Sequence, residues 1–130
     1  MKKYIIALVS VIVVLFLAVF LFYDNVNIFK GNRVKNPSSY TMEFKSMNQK
    51  DSHVLALKAG DILEVDYEIL KGRVDLTIGI DGQKPVYKGT KLEAESFQVI
   101  IPSDGDYRIT VKAKHAAGTF SLRIYVPEED

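Results

Sequence analysis

Two patterns of apolar residues divide the chain. Over residues 4–23 nearly every position is apolar, and Ser10 is the one clearly polar member. At about 1.5 Å of rise per residue, a helix of this length spans roughly 30 Å, which is the hydrocarbon thickness of a bilayer. From Tyr40 onward, apolar residues alternate with polar ones, as in strands that bury one face. The pattern predicts one transmembrane helix over residues 1–23 and an all-β domain after it.

The apolar segment fits an uncleaved signal anchor better than a cleaved signal peptide. The hydrophobic core of a signal peptide is about 7–15 residues long, and this segment is longer. Its end, Phe20 to Tyr23, is bulky where a signal peptidase requires small side chains. Lys2 and Lys3 precede the segment, so we expect a cytoplasmic amino terminus and an extracytoplasmic carboxyl domain. Cleavage remains the alternative, and basic residues after the segment leave the orientation open.

The rest of the chain reads as a linker followed by a β-sandwich. Residues 24–39 are rich in Asn and Ser without a sustained period, which predicts a juxtamembrane linker. Glycine-containing pairs such as Lys71-Gly72, Asp81-Gly82 and Ala117-Gly118 separate the alternating segments and favour turns. This spacing predicts a single antiparallel β-sandwich of about seven or eight strands over residues 40–130. The predicted strands are 40–45, 53–58, 63–69, 74–80, 85–88, 97–101, 107–114 and 120–126.

Composition removes several functional classes. With 17 basic and 16 acidic residues the net charge is +1, which gives no field suited to a nucleic-acid duplex. The absence of cysteine excludes disulfide scaffolds, thiolate metal sites and cysteine nucleophiles. His53 and His115 lie in no motif with a serine and an acid. We therefore expect no enzyme, no cofactor and no metal site, with a hydrolase assembled from distant residues as an alternative.

Acidic residues form a row on one predicted strand. Glu64, Asp66 and Glu68 share one face, where paired carboxylates could hydrolyse a glycoside. A solvated sheet face explains them more simply, with basic residues of neighbouring strands as partners. The expected partners are the outward residues Arg108, Lys112, Lys114 and Arg123.

A calcium site is the other chemistry that the acidic residues suggest. Asp104 and Asp106 flank a glycine, and Asp81 lies in another turn. The two acids of the first turn are only a small fraction of the roughly six to eight oxygens that Ca²⁺ requires. Ordinary turns explain them better, and calcium binding stays open.

One stretch of the sequence resembles a known family. It runs from residue 97 to 111 and continues at residues 118–122. A strand is followed by a Pro-x-x-Gly-x-Tyr turn that begins at Pro102, then a second strand, then Gly-x-aromatic-x-Leu from Gly118. This order resembles the end of bacterial pre-peptidase C-terminal-type domains and similar jelly-roll modules. The resemblance implies a jelly-roll-like sandwich and a small extracytoplasmic accessory or binding module. The chain departs from the family because no peptidase is attached and its tether is its own amino terminus.

Outward apolar residues mark the expected ligand surface. Tyr87, Ile100 and Tyr125 can form a small apolar platform for a sugar ring or a partner strand, and Arg123 adds a cation. We expect a membrane-anchored, non-catalytic module outside the cell that recognises a glycan, an envelope component or a protein. A single-pass subunit of a membrane protein complex is the alternative.

Overall fold

One helix and six strands make up the described part of the chain. In the computed structural model, the backbone is described for residues 2–24 and 26–126, and the side chains for residues 5–19 and 26–126. The helix α1 spans Lys2–Asp24. The strands form one antiparallel sheet in the order β1-β2-β6-β3-β4, and β5 also pairs with β3. Their bounds are β1 Ile28–Asn36, β2 Ser39–Leu57, β3 Ile62–Gly79, β4 Tyr87–Gly89, β5 Ala94–Ile100 and β6 Gly105–Ile124.

The helix α1 forms where the sequence predicts it. All of its described side chains, from Ile5 to Val19, are exposed. A helix that is apolar on every side differs from the amphipathic helices that cover a globular core. Among the residues that the structure describes, no helix is both long and apolar enough to cross a membrane.

The three longest strands bend in the middle, and the bends turn one sheet into a sandwich of two layers. The rings of Tyr40 and His53 lie 5.5 Å apart although both belong to β2. At about 3.3 Å per residue, an unbent strand would hold these residues roughly 40 Å apart. The first layer contains β1, β5 and one half of each bent strand: residues 39–44 of β2, 62–69 of β3 and 116–124 of β6. The second layer contains β4 and the other halves: residues 49–57 of β2, 73–79 of β3 and 105–113 of β6.

Two glycines explain why the bends are possible. A Cβ at Gly118, where φ is 156°, would lie 2.2 Å from the carbonyl oxygen of Glu68 on the neighbouring strand. A Cβ at Gly72, where φ is 78°, would lie 2.2 Å from the carbonyl oxygen of His115. Glycine inside a strand permits such a close approach, and the pairing register shifts around these positions.

The bends correct the predicted number of strands. The sequence predicts turns at Gly72 and Gly118, but both glycines lie inside continuous strands. The predicted strands 63–69 and 74–80 are therefore one strand, β3, and 107–114 and 120–126 are one strand, β6. The predicted strands 40–45 and 53–58 likewise form one strand, β2. Six strands take the place of seven or eight, and the prediction of a predominantly antiparallel β-sandwich is confirmed.

The segment predicted as a linker contains β1. Residues 28–36 pair with β2 through a turn in which the Asn36 side-chain oxygen accepts hydrogen bonds from the backbone N–H of Ser38 (3.0 Å) and the hydroxyl of Ser39 (3.0 Å). Phe29 packs against the core, and the Arg33 guanidinium lies 4.2 Å from the centre of its ring. The sequence of β1 does not alternate between apolar and polar residues, because this edge strand leaves most of its side chains in solvent.

The core lies between the two layers and follows the predicted alternation. Inward residues of both layers form one buried cluster that includes the rings of Tyr40, Tyr107 and Phe120. Tyr40 and Phe120 pack edge to face, with ring centroids 5.6 Å apart. Val126, which the sequence places in the last inward row, is instead 77% exposed. Burial of each large apolar side chain contributes about 1.5–3 kcal/mol, so this cluster holds the layers together.

Candidate functional site

The outer face of the first layer ends in a row of apolar side chains. Ile62 pairs with Ile100 of β5, and the backbone N–H of Tyr125 donates to the carbonyl of Ile62 at 2.8 Å. Leu63, the next residue of β3, points into the core, so the side chains of this row point outward. Ile100 is 69% exposed and Tyr125 is 41% exposed. We call Ile62, Ile100 and Tyr125 the apolar row.

Polar and charged side chains continue the same face. Glu64 lies opposite Gln98 on one side and Arg123 on the other, and Asp66 lies opposite Ser96 and Ser121. These residues line a depression of about 380 Å³. The Arg123 guanidinium donates to the hydroxyl of Ser121 at 3.3 Å. Further along the same face, Glu43 and Glu68 both lie opposite Thr119. The name acidic face is used for Glu43, Glu64, Asp66, Glu68 and Arg123.

The outer face of the second layer has the opposite charge. Lys50 lies directly opposite Lys112, and Lys88 lies opposite Thr77. A depression of about 370 Å³ opens between them. Its lining also includes Asp75. The name basic face is used for Lys50, Asp75, Thr77, Lys88, Thr90, Thr110 and Lys112.

Asp75 is the one acidic residue of the basic face, and its carboxylate is already engaged. Its Oδ1 accepts hydrogen bonds from the backbone N–H of Lys91 (2.9 Å) and from the Arg73 guanidinium (3.2 Å). Burial alone would raise the pKa of Asp75. The two hydrogen bonds and the charges of Arg73 and Lys112 outweigh burial and hold that pKa below its usual range.

Tyr87 lies apart from the other predicted surface residues. Its half-buried ring packs 4.9 Å from the ring of Phe97, whose other neighbour is Tyr67 at 6.0 Å. The Tyr67 hydroxyl donates to Glu95 at 3.1 Å. Burial raises the pKa of Tyr67, and hydrogen bonds with Tyr87 and Glu95 add to the rise. Tyr87 thus belongs to an aromatic cluster, whereas Ile100, Arg123 and Tyr125 share one outer face.

The residues weighed for catalysis have structural contacts. His53 Nε2 lies 2.7 Å from the carbonyl oxygen of Asn36, next to the Tyr40 ring. His115 has a positive φ of 46° at the bend of β6, where its backbone N–H donates to the Asn48 side chain at 3.1 Å. Within residues 5–19 and 26–126, no three histidine, aspartate or glutamate side chains come together in a way that could hold a metal ion.

The acidic turn residues also have partners within the fold. Asp104 accepts the backbone N–H of Ala59 at 2.8 Å and so stabilises the loop before β3. Asp81 accepts hydrogen bonds from the Arg108 guanidinium at 3.0–3.2 Å. These hydrogen bonds lower the pKa of the Asp81 carboxyl.

The basic face is the feature that sequence reasoning missed. Arg108, Lys112 and Lys114 were expected to neutralise the acidic row, but Arg108 and Lys112 lie on the half of β6 that belongs to the second layer, and Lys114 lies opposite Arg73 near the bend. Arg123 alone among the four expected partners lies beside that row. Lys50 gave no signal because it falls in a stretch without alternation, and its position opposite Lys112 depends on long-range register.

Comparison with known proteins gives distant structural likenesses. No family model matches the chain, and no curated protein does either. A periplasmic inhibitor of g-type lysozyme from Aeromonas hydrophila, PliG, has a TM-score of 0.41 at 18% identity, covering 75% of this chain and 88% of its own. The module TmCBM61, solved with β-1,4-galactotriose, has a TM-score of 0.40 at 16% identity, covering 80% and 76%. Likenesses this distant supply no argument about the ligand of this chain.

Proposed function

We propose that the chain is a membrane-anchored, non-catalytic binding module that presents a jelly-roll-like β-sandwich outside the cell and binds a glycan on its acidic face. The observation that carries this proposal is the position of the apolar row directly beside Gln98, Glu64 and Arg123. The pairing of β2 with the last strand, β6, supports the jelly-roll assignment.

A sugar ring matches both parts of this surface. Its C–H face packs on an aromatic ring, and its hydroxyl groups exchange hydrogen bonds with carboxylate, amide and guanidinium groups. Tyr125 and Ile100 supply the apolar contact, and both side chains are exposed. Glu64 and Gln98, on the next row of the same face, supply hydrogen-bond acceptors and donors. The depression of about 380 Å³ begins at this row, so a sugar can contact both rows.

The membrane anchor rests on the amino-terminal segment. The apolar run of the sequence covers residues 4–23, and α1 exposes every apolar side chain that is described, over residues 5–19. A helix with this surface is stable where lipid covers it, because its backbone hydrogen bonds are satisfied internally. With Lys2 and Lys3 in the cytoplasm, the sandwich lies outside and can reach envelope glycans.

Glycan titration of the full chain in nanodiscs of phosphatidylcholine tests this proposal. We expect calorimetry to detect binding of chitotetraose or cellotetraose. We also expect Tyr125→Ala combined with Ile100→Ser to weaken that binding about tenfold or more, because truncation of an aromatic anchor at a binding surface costs about 2 kcal/mol or more and about 1.4 kcal/mol is tenfold in affinity. The matched control is Leu70→Ser, since Leu70 is 72% exposed but lies at the bend of β3. No binding of either sugar, or an equal loss in the control, would contradict the proposal.

A further inference from the structure

We infer that the basic face is a second binding site and that it takes phosphate groups. This site is separate from the proposed glycan surface, because the two lie on the outer faces of different layers. The inference therefore does not depend on glycan binding, and either can fail alone.

In the described part of the chain, the lysines of the basic face have no carboxylate within ion-pairing distance, unlike four other cations of the sandwich. Arg33 and Lys35 both reach Asp51, at 3.4 Å and 3.1 Å. Arg73 pairs with Asp75 and Arg108 pairs with Asp81. For the side chains of Lys50, Lys88 and Lys112, no carboxylate of the described residues lies within ion-pairing distance.

The sheet register places two of these lysines against each other. Lys50 and Lys112 are directly paired across β2 and β6. Like charges at opposed positions of a sheet repel, and the pair is destabilising when nothing neutralises it. An anion seated between the two ammonium groups converts this repulsion into attraction toward a common ligand. Lys88 approaches the same depression from β4.

The single carboxylate of the basic face does not cancel this charge. Asp75 lies opposite Lys112, but its Oδ1 already accepts hydrogen bonds from Lys91 and Arg73. Its partner Arg73 brings a further positive charge to that edge. The site therefore keeps a positive balance, with three lysines and Arg73 against one carboxylate.

The other lining residues suit phosphate oxygens. Thr77, Thr90 and Thr110 line the depression, and their hydroxyl groups can donate hydrogen bonds. Lysine ammonium groups bind phosphate as mobile point charges, without a fixed bidentate geometry. A volume of about 370 Å³ accommodates more than one phosphate group. Because the acidic face repels anions, phosphate-bearing ligands are directed to this layer.

The test uses tripolyphosphate as the probe and the full chain in phosphatidylcholine nanodiscs. We expect calorimetry to detect binding that weakens about tenfold or more in the triple variant Lys50→Gln, Lys88→Gln, Lys112→Gln. The matched control removes the same charge at exposed lysines elsewhere, in Lys30→Gln, Lys45→Gln, Lys58→Gln. We expect this control to lose less than about threefold, because exposed charges at a distance are screened by salt.

A second arm identifies the source of the phosphate. Phosphatidylglycerol replaces part of the phosphatidylcholine, and the backbone amide signals of the basic face are followed by NMR without tripolyphosphate. Shifts of the Lys50, Lys88 and Lys112 signals assign the site to lipid headgroups; shifts that appear with tripolyphosphate alone assign it to a soluble or polymeric phosphate. Either result supports the site. The inference is overturned if neither probe shifts these signals, or if the control variant loses as much affinity as the triple variant.

Discussion

The two outer faces of the sandwich are built by the same three strands and carry opposite charge. In β3, Glu64, Asp66 and Glu68 face outward before the bend, and Arg73 and Thr77 do so after it. In β6, the half before the bend brings Lys112 to the basic face and the half after it brings Arg123 to the acidic face. One sheet therefore presents two chemically distinct surfaces without a second domain. The bend separates the two surfaces, so a substitution that prevents the bend should affect both of them.

The largest effect is expected at Gly118. In Gly118→Ala the new Cβ would meet the carbonyl oxygen of Glu68 at 2.2 Å, and the bend could not close. We expect the free energy of unfolding to fall by about 3 kcal/mol or more, with both faces lost together. The measurement is urea unfolding of the full chain in detergent. Gly60→Ala is the control, because Gly60 also has a positive φ but nothing lies within 4 Å of its added Cβ. Equal losses in the two variants would show that the bend is not the critical feature.

A smaller loss of stability is expected when a hydrogen bond between the two layers is removed. The Tyr40 hydroxyl, in the first layer, donates a hydrogen bond to the Asp51 carboxylate in the second. Burial raises the pKa of Tyr40, and the bond to Asp51 adds to the rise. Asp51→Ala leaves this buried hydroxyl without its acceptor, so we expect a loss of about 2 kcal/mol in unfolding free energy.

Asp66→Ala is the counterpart on the acidic face. Asp66 is exposed, and we expect its removal to change stability by less than about 0.5 kcal/mol while altering glycan binding. Differential scanning calorimetry of both variants makes the comparison. A larger loss in Asp66→Ala than in Asp51→Ala would mean that the acidic face, and not the contact at Asp51, stabilises the sandwich.

A further small effect concerns the pH dependence of stability at the basic face. The pKa of Asp75 is lowered in the folded chain, so the unfolded chain binds a proton at higher pH than the folded one. Its contribution to stability is therefore present above the ordinary aspartate pKa of about 3.9 and disappears as the pH falls through the lower folded value. We expect the stability difference between the wild type and Asp75→Asn to stay below about 1 kcal/mol and to shrink on acidification. Urea unfolding at a series of pH values measures it, and a difference that grows toward low pH would refute the assignment.

The local alternation of apolar and polar residues predicted the inward positions of the strands. It could not predict the register in which distant strands pair. The alternation around Tyr40 and Tyr107 identifies core positions because a strand exposes its two faces in a period of two. The sequence predicts turns at Gly72 and Gly118 because glycine is common both in hairpin turns and in bulges inside strands. A glycine reveals its role only through what approaches it, here a backbone carbonyl of another strand.

The same difference between local pattern and long-range register applies to the candidate binding surfaces. Ile100 and Tyr125 could be chosen from sequence because each is an apolar residue at an outward position of a strand. The pairing of Lys50 with Lys112 could not be predicted from the sequence, because the register between β2 and β6 depends on the whole sheet. The acidic row was correctly placed on one face, while its expected lysine partners lie beyond the bend.

The most direct test of two separate binding faces is an NMR titration of the full chain in phosphatidylcholine nanodiscs with two probes, chitotetraose and tripolyphosphate. We predict that the sugar shifts the backbone amide signals of the apolar row and of Arg123, and that tripolyphosphate shifts those of the basic face. We also predict that neither probe changes the affinity of the chain for the other. If both probes shift the same set of signals, or if neither set responds, the claim that one bent sheet carries two separate binding faces is contradicted.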